Sequence, residues 1–188
     1  MVMIVLTIVS MLGIAAIQIS MMSERSARND RDYQIAWQAA EEALVDAEFD
    51  ISGPGTGTRR SVFAPEPNIG AFIGGCGASG NSQGLCATPS LPTETPSWVA
   101  VNFATTGSTA ATTEFGAFTG RTFAAGNGGF QSAKSPRYVI EAIEDNGGRG
   151  AQQRNRSAPQ PAYVYRITAM GFGPRGDTQA VLQTIYRD

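Results

Sequence analysis

The residues able to do chemistry in this chain are few, and most of their patterns point to structure. Cys76 and Cys86 bracket a nine-residue loop rich in Gly, Ser and Gln. Behind a membrane anchor, in an oxidising compartment, a pair this close is most simply a disulfide; in a reducing cytosol it would be two free thiols. Closing the loop would contribute roughly 2–3 kcal/mol on the chain-entropy account. Gly75-Cys76-Gly77-Ala78-Ser79-Gly80 spells a G-x-G-x-x-G motif. A dinucleotide site needs a helix after that motif, and Asn81-Ser82-Gln83-Gly84-Leu85-Cys86-Ala87-Thr88-Pro89 will not make one. The stretch therefore reads as a surface loop, and no cofactor is expected. Glu144-Asp145-Asn146-Gly147-Gly148 offers hard oxygen ligands but lacks the alternating spacing of a calcium loop, so it reads as a turn. Arg149, Arg154 and Arg156 suit phosphate. No aromatics interleave them as nucleic-acid binding would favour, so they read as a solvated loop. The chain has no histidine, which removes the usual acid–base group near neutral pH, the nucleophile systems that depend on it and most zinc sites. No catalytic or metal-binding residue is expected.

A last group is acidic. Glu41, Glu42, Asp46, Glu48 and Asp50 crowd the end of a helical pattern, where the macrodipole disfavours negative charge, and Glu42 and Asp46 repel at i, i+4. Either they form a solvated face, or Glu41, Glu42 and Asp46 meet arginines on a neighbouring subunit. The overall net charge is −2, so no basic field invites nucleic acid. The balance is uneven: residues 1–50 carry three arginines against eight acids, and the remainder carries eleven basic groups against eight acids.

The elements that position these residues fall into three parts. From Met1 to Ile19 the only polar side chains are Thr7, Ser10 and Gln18, and the first charge is Glu24. A run this long and apolar predicts a membrane-spanning helix. No basic residue precedes it, it is too long for a secretory signal, and it continues into a patterned helix, so a removed signal peptide is not expected; either the true start lies upstream, or the chain begins at a site where a basic leader has been lost. Ile35, Ala36, Ala39, Ala40, Ala43, Leu44 and Ala47 then recur at intervals of three and four, the stripe of a helix that packs on something. The division expected is 1–23 apolar, 24–50 amphipathic and 51–188 a globular head. Gly13 is the one weak point of the rod, and Gly53 and Pro54 end it.

Residues 58–135 are rich in Gly, Ser, Thr and Ala with scattered aromatics, from Phe63 and Phe72 to Phe130. Irregular structure with short strands is expected there, best seen at Ser97–Phe103. Three runs of β-formers follow, Arg137–Ile143, Ala162–Met170 and Thr178–Tyr186, which predict an antiparallel meander. One of its faces must be covered, and the alanine stripe is the cover. The fold class is thus α+β, a long N-terminal helix packed on a C-terminal antiparallel sheet with an irregular middle region.

That architecture resembles the type IV pilins. Ser23-Glu24-Arg25, Asn29-Asp30-Arg31-Asp32 and Ala36-Trp37-Gln38-Ala39-Ala40-Glu41-Glu42-Ala43-Leu44 are similar to the N-terminal pattern of the PilX family of minor pilins. Pro136-Arg137-Tyr138-Val139-Ile140-Glu141, Tyr165-Arg166-Ile167-Thr168-Ala169-x-Gly171 and Ala180-Val181-Leu182-Gln183-Thr184-Ile185-Tyr186 are similar to its tail. The basic leader, its glycine and an early glutamate, which many pilins carry, are not in this sequence. The resemblance implies a structural subunit held in the inner membrane, then carried into an extracellular pilus. It would help to initiate assembly near the tip with other minor pilins, the major pilin, a large tip adhesin and the inner-membrane assembly platform as partners. The alternative is a pseudopilin of a type II secretion system; a membrane-anchored periplasmic enzyme is disfavoured by the residue inventory.

Overall fold

The computed structural model describes residues 2–54, 57–89, 91, 93–126, 130–145 and 162–187. One helix, α1 (Val2–Ser52), runs through the apolar and amphipathic patterns without a break. It passes Gly13 intact, where an added Cβ would meet nothing. Its apolar part is long enough to cross a membrane by length and composition, and every residue from Val2 to Met22 is exposed on the isolated chain. Burial begins only at Asp32. The helix ends where the sequence predicts: the Gly53 N–H donates to the Phe49 carbonyl at 2.8 Å, and Pro54 cannot continue the ladder.

Among the described residues, five strands form one sheet: β1 (Leu85–Ala87), β2 (Thr113–Glu114), β3 (Arg137–Glu144), β4 (Tyr163–Phe172) and β5 (Gln179–Tyr186). β3, β4 and β5 make the expected antiparallel meander, with Tyr138 opposite Ala169 and Ala169 opposite Leu182. Two additions come from the middle region. β1 pairs parallel with β3, so the sheet is mixed, and β2 pairs antiparallel with the start of β3. The strand expected at Ser97–Phe103 is instead a helical turn, α3 (Ser97–Ala100), entered from Pro96. The preset φ of Pro96 and the Ser97 hydroxyl, which donates to the Ala87 carbonyl at 2.8 Å, outweigh the β preference of Trp98 and Val99. A further short helix, α2 (Arg60–Phe63), follows the rod.

Period-two alternation divides the sheet residues between two cores. Tyr138, Ile140, Tyr165, Ile167 and Ala169 pack toward Ala43, Ala47 and Ile51 of α1. The other face carries Val139 and Cys86, packed with Cys76 and Phe103. The middle region therefore does more than link helix to sheet. Phe63 and Phe72 close the first core around Tyr165, whose ring meets Phe63 edge-on at 5.1 Å, and the disulfide segment caps the second.

Candidate functional site: the helix–head interface

What the fold builds with most care is the seam between α1 and the head. Ala36, Ala40, Ala43 and Ala47 have no exposed surface, and Ala39 is buried with them. Ile35 and Leu44, expected on the same stripe, are only partly buried. Ile35 lies at its edge, beside a shallow groove with Gln38, Glu42, Phe123 and Gln131. Small side chains let two backbones approach, and the sheet answers with glycine. A Cβ on Gly171 would collide with the Ala36 carbonyl oxygen and the Ala40 nitrogen, and would lie 3.0 Å from the Ala39 carbonyl carbon. At Gly173 a Cβ would lie 2.8 Å from the Asp32 carbonyl oxygen. The alanine stripe is legible in the sequence; Gly171 stands out there only as part of the tail pattern, and nothing local marks it or Gly173 as a helix contact.

Three aspartates fasten this seam. Asp32, at its N-terminal end, accepts from Arg175 Nε at 3.1 Å and Nη2 at 2.8 Å, and Arg175 also reaches Asn29 at 3.2 Å. Asp46 is fully buried. Its carboxylate accepts from the Gly116 N–H at 2.8 Å and the Thr119 hydroxyl, with Arg121 at 3.6 Å. Asp50, also fully buried, accepts from the Arg59 backbone N–H at 3.1 Å, from its guanidinium and from the Tyr138 hydroxyl at 3.0 Å. Arg59 is buried too. It lies 3.8 Å over the Phe118 ring and donates to the Asn81 and Gln83 carbonyls, so one guanidinium joins rod, middle region and disulfide loop. Burial, and then the Asp50 carboxylate, push the Tyr138 phenol well above the usual tyrosine range. An unpaired buried carboxylate at a helix C-terminus would be costly; the donors arriving from Arg59 and Tyr138 compensate it.

The structure thus corrects one expectation. Asp46 does not face a neighbour, because its carboxylate is enclosed by the chain's own 116–121 segment. Asp50 likewise turns inward. Glu41 and Glu42 are both exposed, Glu42 at the groove beside Ile35, and Glu41 accepts from Trp37 Nε1 at 2.8 Å. Sequence reasoning missed the inward acids, although their spacing carried a signal. Asp32, Ala36, Ala39, Ala43, Asp46 and Asp50 follow one another at three and four, on one stripe.

Cys76 and Cys86 are joined in a disulfide. It holds β1 beside the segment whose Ile73 bridges to Cys86, on the face of the sheet away from α1. The G-x-G-x-x-G stretch leads into a single turn, Gly80–Ser82, and then β1, so it does not open a nucleotide-binding helix. Among the described residues no group of His, Cys, Asp and Glu is arranged to hold a metal. Arg149, Arg154, Arg156 and the turn residues Asn146, Gly147 and Gly148 lie outside the described residues.

Comparison with known families matches both ends of the chain. The PilX N-terminal family model covers residues 1–45, and the model described as type IV pilus assembly protein PilX C-term covers residues 75–188. Neither a curated protein nor a solved structure matches the chain.

Proposed function

We propose that this chain, which belongs to the PilX family of type IV pilus assembly proteins, acts as a minor pilin that helps to start the filament and sits near its tip. It waits in the inner membrane, held by the apolar half of α1, and is then drawn into the growing pilus at the cell surface. Its partners there are the other minor pilins, the major pilin, a large tip adhesin and the inner-membrane platform. Exposed Glu41 and Glu42 are available to arginines on such neighbours. Its role is structural, with no reaction to catalyse.

The observation that carries this reading is the rod itself. One unbroken helix joins an apolar half with no cover of its own to a half welded onto a head. Apolar surface of that extent is stable only in lipid or against similar helices. A filament core offers the second environment, so transfer from membrane to filament exchanges one apolar solvent for another. The first few subunits must gather before any finished core exists. That nucleus is costly, and a dedicated set of subunits lowers the cost.

Deleting the gene should reduce sheared surface pili, counted in a strain with retraction intact, while the major subunit is still made and stored in the membrane. Ala43→Trp, which overpacks the seam, should mimic the deletion. Normal pilus numbers with loss of exoprotein secretion would move the chain to a type II secretion machine.

A further inference from the structure

Phe130 is the most exposed large apolar side chain of the head among the described residues, at 69%. It is not alone: the Arg31 guanidinium of α1 lies 4.5 Å over its ring. Stacking uses the flat face of a guanidinium and leaves its N–H edges for an oxyanion. Arg31 is half-exposed, and its ion pair with Asp32 is long, at 3.5 Å. Arg175 holds the same aspartate more closely, at 2.8 Å. An exposed ring and an arginine with unused donors therefore sit together where the head first meets the rod.

The rod fixes how high this pair stands. The apolar run ends at Met22, and residues 23–31 are all exposed. The lowest hydrogen bond between head and rod runs from Arg175 to Asn29, at 3.2 Å. Six bare residues, 23–28, separate the run from the head, about 9 Å at 1.5 Å per residue. The headgroup layer on one side of a bilayer is about 5–8 Å deep, so the underside of the head stands at its outer boundary. Helix side chains lean toward the N-terminus, which is the membrane side here. Arg28 does so, reaching back one turn to Glu24. The Arg31 guanidinium, leaning the same way, lies about one turn below its own Cα, and the Phe130 ring is beside it. A lean of the rod of about 20° toward this side, ordinary for a membrane helix, lowers a point roughly 10 Å off the axis by about 3 Å more. The surrounding charge is mixed. Glu24 is paired with Arg28, Asp32 with Arg175, and Arg25, Asp30 and Asp177 are exposed. The contact is thus a local one, with no broad basic field behind it.

We propose that the Arg31–Phe130 pair is a lipid contact. In the membrane-held chain the guanidinium edge binds the phosphate of a surrounding phospholipid, and the ring lies in the interfacial layer. Aromatic rings, and arginines with their apolar stems, are side chains that settle at this level. The site also continues upward from a span that already sits in lipid. The contact would set how deep the rod sinks and hold the head on the bilayer, and a subunit drawn into a filament must give it up. The inference rests on α1 being held in a membrane, but not on the chain's part in starting a filament.

The test uses the full chain in vesicles of phosphatidylcholine with and without phosphatidylglycerol. A photo-crosslinking residue is placed in turn at 14, in the apolar half, at 130, and at 42, higher on the rod. Mass spectrometry reads whether the adduct is a phospholipid. Positions 14 and 130 should give lipid adducts and position 42 should not. Phosphatidylglycerol should raise the yield at 130 by about fivefold, the scale of one arginine at an anionic surface. Arg31→Gln should remove that gain and leave the yield at 14 unchanged. Lipid adducts at 14 but none at 130 would overturn the proposal and leave the membrane anchor standing. So would equal lipid adducts at 42 and 130, an adduct at 130 to a second copy of the chain, or a yield at 130 indifferent to Arg31→Gln. No lipid adduct at 14 would overturn the membrane reading itself, and this contact with it.

Discussion

Gly171→Ala is the smallest change that should unseat the head from the rod. The added methyl would face the Ala36 oxygen and the Ala40 nitrogen well inside the 3.0 Å that real Cβ contacts essentially never breach. Both are backbone atoms of a helix, so no side-chain rotation can relieve the clash. α1 must instead retreat from β4 by on the order of 1 Å, which opens the packing of its neighbours as well. Overpacking of this kind costs typically 1–3 kcal/mol, and a clash against backbone on both sides places Gly171→Ala at about 3 kcal/mol. In a soluble form of the chain lacking residues 1–23, that corresponds to a fall in Tm of roughly 6–12 °C for a domain of this size. Urea or thermal unfolding followed by circular dichroism reads it directly. Gly74→Ala is the matched control, because its Cβ would meet nothing and its backbone is not left-handed; it should stay within about 0.5 kcal/mol of the parent. Equal stability of the two variants would refute the close helix–sheet approach.

Two further outcomes follow from the buried polar groups. Arg59→Met leaves the Asp50 carboxylate buried without its guanidinium, and should cost about 3–5 kcal/mol in the same unfolding assay; a cost under about 1 kcal/mol would mean that water reaches Asp50. Tyr138 keeps its proton more tightly when folded than when unfolded, so its contribution is complete below the unfolded value near 10 and is lost as pH rises above it. Stability measured from pH 8 to 11 should fall above about pH 10, and Tyr138→Phe should flatten that part of the curve while lowering stability at pH 8 through loss of the bond to Asp50.

Much of this arrangement was legible before any coordinates, and what was hidden has a common cause. The rod, its end at Gly53, the three long strands and the alanine stripe are local patterns with a fixed period, which sequence displays directly. The fate of Asp46 and Asp50 is not local. Their donors come from Arg59, Gly116, Thr119 and Tyr138, and nothing near the acids announces them. β1 is three residues long and is set beside β3 by a partner far along the chain. Gly171 looks like any glycine near a turn until a helix is laid against it. At Ser97–Phe103, β preference was read correctly and overruled by the proline before it.

The spacing of the three aspartates has a mechanical consequence. Asp32 and Asp50 stand eighteen residues apart on a straight helix, about 27 Å, and each grips a different part of the head. A pull along the rod, such as a filament under tension delivers, acts as shear on all of these grips together. Peeling would load them one after another; sliding must break the Arg175 clasp, the Asp46 cradle and the Asp50–Arg59 pair in the same stroke. Since Gly171 sits between them with backbone against backbone, the rod has no slack in which to begin that slide.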